Sequence, residues 1–373
     1  MAQDTGGAVV AAAIKNFLAP VWHLLSDEKV TEVMINAYNE VWVEIAGKIQ
    51  RTDAKFKDED ALRAVANNIA QSVGRRITDE EPRLDARLPN GFRVHAVIPP
   101  CSRKGTTIAI RKFATVQFTF KDYVNIGAMS VDAAQFLDVC MKLGKNVLVS
   151  GGTGSGKTTL LSVLCNRIPK GQRIIVIEDS SELKFEYEHV VFFETQMPDE
   201  QGKGEVSIRD LVKSSLRLRP DRIIVGEVRG AEALELVQAM NTGHKGCLGT
   251  IHANSPTDSL VRLEALAAGG DAQLSERALR HQIGSAIDVV IQISRYPDGS
   301  RRLASIAEVL GFDAQGAYNV VPIYDMERLV KQPDGKYKGQ VQPTGILPSF
   351  MGEIEDNAIP FPRAKFTKPS TAA

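Results

Sequence analysis

The sequence predicts an α/β protein in which a larger domain on a mainly parallel sheet follows a smaller α/β domain. Three observations carry that expectation. A glycine-rich run, GGTGSGKT at 151–158, stands between an apolar stretch that reads as a buried strand (145–150, KNVLVS) and one that reads as a helix start. Short apolar runs at 147–149, 174–177, 223–225, 247–251 and 289–293 alternate with segments of helical spacing, and such alternation implies parallel pairing. The 373 residues exceed one ordinary core, so two domains are expected.

Taken in order, residues 1–20 are small and apolar with Pro20 as a stop, and are expected to form an arm or a partner-contacting helix. The apolar run at 8–14 is too short to span a bilayer and has no basic leader, so a cytoplasmic or peripheral protein is expected. Val41, Val43 and Ile45 alternate with polar neighbours, Ala46-Gly47 offers a turn, and 48–52 can return as a second strand. Asp58 can cap a helix on which Leu62, Val65, Ala66, Ile69, Ala70 and Val73 share a face, with Gly74 as its stop. Strands at 84–88 and 92–98 flank Pro89-Asn90-Gly91, whose Asn-Gly pair suits a hairpin turn, and 106–112 supplies another strand. Residues 21–117 should therefore be one domain. The irregular stretch 118–129 is expected to be a linker, after which Ser130 caps a helix that ends at Gly144. The second domain spans 130–330 and closes with a hairpin of 304–310 and 317–323. Beyond Lys331 the composition turns to Pro, Gly and isolated charges, and the tail 331–373 is expected to be largely disordered.

Composition narrows the function classes. Lys and Arg number 45 against 45 Asp and Glu, so net charge gives no argument for wrapping nucleic acid, and no dedicated nucleic-acid-binding motif is present. The four cysteines (Cys101, Cys140, Cys165 and Cys247) are far apart with no C-x-x-C pair, which argues against a zinc knuckle or a disulfide framework.

The chemistry concentrates at the ends of the second domain's strands, where ligands bind in open α/β sheets. Gly152, Thr153, Gly154, Ser155 and Gly156 can wrap phosphates with backbone N–H groups, Lys157 can reach the β and γ phosphates, and Thr158, followed by Thr159, offers a hydroxyl to Mg2+. Glu178 and Glu227 each follow an apolar strand and compete to hold the magnesium shell or orient an attacking water. His244 and His252 lie on a glycine-rich segment unlike ordinary core, and are expected to sense the γ-phosphate or couple it to motion. His23, His95, His189 and His281 read as structural.

GGTGSGKTT (151–159), IEDSSEL (177–183), SLRLRPDRIIVGEVRG (215–230) and GHKGCLGTIHANS (243–255) resemble, in this order, the Walker A motif, Asp box, Walker B motif and His box of the secretion traffic ATPases. That superfamily powers type II and type IV secretion and type IV pili. The short N-terminal domain and the run HANSPTDSLVRLEAL are most similar to the conjugal transfer ATPases of the TrbB type. The resemblance covers about residues 25–325. It implies a RecA-like P-loop domain, hydrolysis of ATP with Mg2+, and a homohexameric ring docked on the cytoplasmic face of an inner-membrane secretion or conjugation machine. It further implies that Arg93, in FRVHAVIPP, and Arg111, in TIAIRKF, meet the nucleotide phosphates at the junction between domains. No tetracysteine zinc insertion is present, which weakens type II secretion or pilus extension. Those motors, pilus retraction and a DNA-translocating ring are the alternatives.

Overall fold

In the computed structural model the described residues are 14–45, 47–112, 118–198, 202–270, 274–326 and 328–369. The chain forms two compact units, Met1–Val116 and Gln117–Ala373.

The first unit is a six-stranded antiparallel sheet in the order β3-β2-β1-β6-β5-β4. Its strands are β1 (Val30–Ala37), β2 (Glu40–Ile45), β3 (Lys48–Arg51), β4 (Arg83–Arg87), β5 (Arg93–Val97) and β6 (Thr107–Arg111). The helix Glu59–Ser72 starts where Asp58 Oδ1 accepts the Ala61 N–H at 2.8 Å, and it buries Leu62, Val65, Ala66, Ile69 and Ala70. Ala46, expected in the β2–β3 turn, lies outside the described residues. The expected N-terminal arm needs correction over its described part. Ile14 and Leu18 are buried in this unit's core with Val21 and Leu25 of the helix Ala19–Ser26, which Pro20 starts rather than stops. Proline is accommodated in a first helical turn because its missing N–H has no partner to lose there. Residues 1–13 lie outside the described residues.

The second unit holds a nine-stranded sheet in the order β17-β14-β13-β12-β7-β11-β10-β8-β9. The strands β7 (Val147–Gly151), β8 (Ile174–Glu178), β9 (Val190–Glu194), β10 (Arg222–Val225), β11 (Leu248–Ile251) and β12 (Val289–Arg295) pair in parallel. β13 (Arg301–Phe312), β14 (Tyr318–Asp325) and β17 (Gln342–Pro343) extend it antiparallel, and β15 (Val330–Lys331) with β16 (Tyr337–Lys338) makes a separate small hairpin.

Near-continuous apolar runs are needed here because both faces of the sheet are covered. Val147, Val149, Ile174, Val176 and Ile291 pack on one face with the helices Val131–Leu143 and Lys157–Cys165. Their neighbours Leu148, Ile175, Ile177 and Val290 pack on the other with the helices Ile208–Ser215, Glu232–Asn241, Pro256–Ala268 and Glu276–Ala286. No helix of the described residues is long and apolar enough to cross a membrane.

Two expectations about connections are corrected. Residues 120–125 of the expected linker form the helix Phe120–Asn125, opened by a capping box in which Thr119 and Asp122 satisfy each other's backbone N–H groups, and Tyr123, Ala128 and Met129 are buried. Six helical residues are too few for a readable period. The tail after Lys331 is also packed. Phe136 stands with its ring centroid 6.0 Å from Phe350, 6.0 Å from Phe361 and 5.4 Å from Phe366. The Ser349 N–H donates to the buried Glu308 carboxylate at 2.9 Å, and Lys145 Nζ lies 3.0 Å from Glu353. The tail's anchors are single aromatic residues scattered through polar sequence, so average composition hides them. Residues 370–373 lie outside the described part.

Candidate functional site

β7 delivers the chain to the loop at Gly151, where a side chain would collide with the Ile293 carbonyl and the Ser155 hydroxyl. Gly156, at φ 97°, is the N-cap of the helix Lys157–Cys165 and offers no capping side chain, so the helix's first N–H groups are left to a ligand. Lys157 Nζ rests 3.2 Å from the Gly152 carbonyl oxygen and 3.3 Å from His252 Nδ1, while the buried Ser155 Oγ has no hydrogen-bond partner. Phosphate oxygens supply what the Lys157 ammonium finds here in a neutral carbonyl and an imidazole.

The parallel strand order sets the neighbouring strand ends side by side. β11 lies against β7 and ends before His252; β10 lies against β11 and ends before Gly226-Glu227; β8 lies against β10 and ends in Glu178. His252 Nε2 is 2.8 Å from Glu227 Oε1. That approach lacks the alignment of a hydrogen bond, and Glu227 Oε1 is left as a buried acceptor with no hydrogen-bond partner. Glu227 Oε2 takes a hydrogen bond from Arg229 Nη2 at 2.6 Å, and Arg229 Nη1 reaches Asp179 Oδ2 at 3.4 Å. A chain of alternating charge thus runs from the phosphate loop along the strand ends.

The two glutamates sit in opposite environments. Burial works against ionisation of Glu227, but the Arg229 hydrogen bond and charge, with His252 and Lys157 beyond, hold its carboxyl below the usual range. Burial pushes Glu178 up to about 7, even though its Oε1 accepts the Glu182 and Leu183 N–H groups at 2.9 Å each. His252 is pushed down by burial and then by Lys157, against the pull of Glu227, which keeps the imidazole neutral. Gly226 is required because a Cβ there would sit 2.8 Å from Glu178 Cγ.

Magnesium fits this donor set. The orphaned Glu227 Oε1 and the Thr158 hydroxyl are hard oxygens, and magnesium favours one or two protein oxygens shared with substrate phosphates. Among the described residues no group of three or more His, Cys, Asp or Glu forms a cage that would bind a metal without the nucleotide.

Not every expected site residue joins the cluster. His244 lies before β11 and His252 after it, so the strand separates them; β11 pairs with β7 from Leu248↔Val147 to Ile251↔Ser150. The His244 Nδ1 is 3.2 Å from the Ala239 carbonyl oxygen, at the end of the helix Glu232–Asn241. Of the two histidines expected to sense the γ-phosphate or couple it to motion, His252 therefore stands beside Lys157, and His244 lies at the other end of β11. In the first unit Arg93 and Arg111 are direct cross-strand partners on β5 and β6, and Arg93 forks onto Asp85 at 3.3 and 3.2 Å.

The structure also adds residues. Arg229 and Asp179 lie inside the IEDSSEL and GEVRG motifs, where their charge was the available signal. Arg301 Nε donates to the Gly154 carbonyl at 2.8 Å, a contact set by the β12–β13 turn with no sequence signal of its own. A cavity of about 660 Å3 lined by Phe118, Phe120, Val124 and Val131 includes none of these residues. Its walls are mainly apolar, with Lys121, Asp138, Arg167 and Glu186 also on the lining, and it lacks the glycine-rich loop that suits the strand-end site to phosphate.

The sequence matches the family described as Type II/IV secretion system protein over residues 15–316. A putative conjugal transfer protein of Mycobacterium tuberculosis (strain H37Rv) is 38% identical over 311 residues, covering 82% of this chain and 87% of that protein. The probable conjugal transfer protein TrbB of Sinorhizobium fredii is 33% identical over 300 residues, covering 79% and 88%. The crystal structure of the pilus retraction motor PilT with bound ADP shares the fold, with a TM-score of 0.55 at 20% identity over 92% of this chain and 86% of that one.

Proposed function

Because the chain belongs to the Type II/IV secretion system protein family, we propose that it is the ATPase motor of a conjugative type IV secretion system. In this proposal a RecA-like domain hydrolyses ATP within a homohexameric ring at the cytoplasmic face of the inner membrane, and the cycle drives pilus assembly and substrate transfer. The observation that carries it is the convergence of Lys157, His252 and Glu227 on the phosphate loop.

Lys157 exchanges the Gly152 carbonyl for the β and γ phosphates, and the N–H groups of residues 152–159 wrap the phosphate chain. The Thr158 hydroxyl and the ionised Glu227 would hold magnesium, which would supply charge neutralisation for the phosphates. Glu178, with a carboxyl poised near neutral pH, is the proton acceptor for the attacking water. His252 couples the two: burial holds the imidazole down and Lys157 adds to that, so when Lys157 turns to phosphate the second influence is relieved and the imidazole tightens on Glu227. Arg93 and Arg111 belong to this proposal on the family resemblance alone, as guanidiniums suited to phosphate oxygens. His244 stands outside this set.

The test is release of phosphate from MgATP by the purified chain, compared with Lys157→Ala. Magnesium-dependent hydrolysis that vanishes in the variant is expected, and turnover in Lys157→Ala equal to wild type overturns the assignment. Size measurement with and without ATP tests the ring.

A further inference from the structure

The phosphate loop is held from outside by a hairpin that belongs to none of the four family motifs. β12 lies directly against β7, so its carboxyl end, the turn 296–300 and the first residues of β13 lie beside the loop. Arg301 Nε donates to the Gly154 carbonyl at 2.8 Å, and its stem covers Gly156, where an added Cβ would meet Arg301 Cδ at 3.4 Å. Arg295, on the same hairpin, brings Nη1 to 3.2 Å from the position of a Cβ on Gly154.

An exposed arginine on a carbonyl usually contributes little, because the side chain is free to leave. This one stands on a fixed base. The neighbouring Arg302 donates to the Gly127, Tyr337 and Gly339 carbonyls at 2.6, 2.7 and 3.2 Å. Within the turn, Asp298 accepts from the Ser300 N–H at 2.9 Å and from the Tyr337 N–H at 2.8 Å.

Gly154 has φ +69°, a conformation in which the peptide to Ser155 can flip at small cost. A phosphate loop binds through N–H groups that point inward, and each inward N–H requires its peptide carbonyl to point outward. Arg301 holds the carbonyl of the 154–155 peptide, and so fixes which way the Ser155 N–H faces. In the present arrangement that N–H makes only a long 3.3 Å bond to the Gly152 carbonyl, which phosphate can displace.

We propose that Arg301 is a positioning residue for nucleotide, locking the Gly154–Ser155 peptide with its N–H turned to the β-phosphate. This inference rests on the nucleotide-binding reading above and adds a residue outside its motifs.

The experiment is direct binding of fluorescent ATP and ADP analogues to the full-length chain, as wild type, Arg301→Ala and Arg301→Lys, with melting temperature measured in parallel. Because the locked peptide serves the β-phosphate, Arg301→Ala should weaken ADP and ATP by the same factor of about tenfold, the scale of one charge-assisted hydrogen bond. Arg301→Lys, which keeps a cationic donor, should recover most of that loss, and nucleotide-free melting should stay unchanged. Affinities within twofold of wild type in Arg301→Ala overturn the inference alone, as does a loss confined to ATP, which would make Arg301 a γ-phosphate ligand. A wild-type chain that binds neither nucleotide overturns the functional reading instead.

Discussion

Glu227 Oε1 faces His252 Nε2 at 2.8 Å, at the ends of two adjacent parallel strands, with Lys157 3.3 Å beyond the imidazole. On the proposed function, a cation, a neutral imidazole and a carboxylate in that order would form a switch thrown by phosphate, because phosphate competes for the ammonium.

Glu227→Gln keeps the shape of the side chain and removes its charge. Nucleotide affinity should stay within about threefold while turnover falls roughly 100-fold or more, the scale of losing one preorganised electrostatic contact at a reacting centre. Binding measurements beside steady-state hydrolysis decide it. Normal turnover in the variant would remove Glu227 from the metal shell.

The two histidines make a matched pair. His252→Ala should lower turnover by about tenfold or more with little change in nucleotide affinity, because it removes the imidazole that stands between Lys157 and Glu227. His244→Ala, at the other end of β11, should leave turnover within about threefold and affect stability instead. The reverse ordering would mean that the strand-end cluster is not where hydrolysis is coupled.

Glu178 gives a pH prediction. Its carboxyl titrates near 7 in the fold against 4.5 for an ordinary glutamate, so the folded protein holds this proton more tightly than the unfolded chain. Stability from this group is therefore fully present below about pH 4.5 and is lost as pH rises through about 7, by on the order of 3 kcal/mol. Glu178→Gln should lack that slope and melt higher than wild type at pH 8, since an amide oxygen can still accept the Glu182 and Leu183 N–H groups. Hydrolysis runs the other way in wild type, rising through pH 7 as the base ionises, and is lost in the variant. A wild-type melting temperature flat between pH 5 and 8 relative to the variant would place the carboxyl at an ordinary value.

What the sequence showed was decided by the range of the signal. The phosphate loop, the buried strands and the Asp58 and Ser130 caps each depend on residues within a few positions, and all are readable. That Glu178, Glu227 and His252 lie at neighbouring strand ends was legible because parallel strands bring their carboxyl ends to one side of the sheet whatever the strand order. His244 is eight positions from His252 in sequence but across a strand from it, so closeness in sequence does not carry over to space. Arg301 depends on β12 being the strand beside β7, a long-range pairing that no local pattern encodes.

The tail was misjudged for a related reason, and that too is testable. Phe366 is buried against Phe136, Tyr324 and Phe361. Phe366→Ala should cost about 3–5 kcal/mol, the usual price of emptying a packed aromatic site, and lower the melting temperature by on the order of 10 °C. A shift under about 1 °C would return residues 341–369 to the status of a loose extension.

The last prediction concerns Arg93 and Arg111. β4, β5 and β6 pair antiparallel with Arg87, Arg93 and Arg111 in register, which puts like charges directly opposite one another. Such a pair is unfavourable unless anions answer it, and within the sheet Asp85 engages Arg93 while Glu32 lies across from Arg111. Polyphosphate is the anion that two neighbouring guanidiniums suit best, since each can fork onto phosphate oxygens and neutralise charge that builds in the transition state. Arg93→Ala and Arg111→Ala should therefore each reduce ATP turnover severely while assembly, measured by size with nucleotide, survives. Arg103, in the loop at the other end of the same two strands, is the control and should matter little. If both variants hydrolyse ATP within a factor of about two of wild type, a difference of roughly 0.4 kcal/mol in barrier, the carboxy-terminal unit is catalytically self-sufficient and the paired arginines serve the sheet alone.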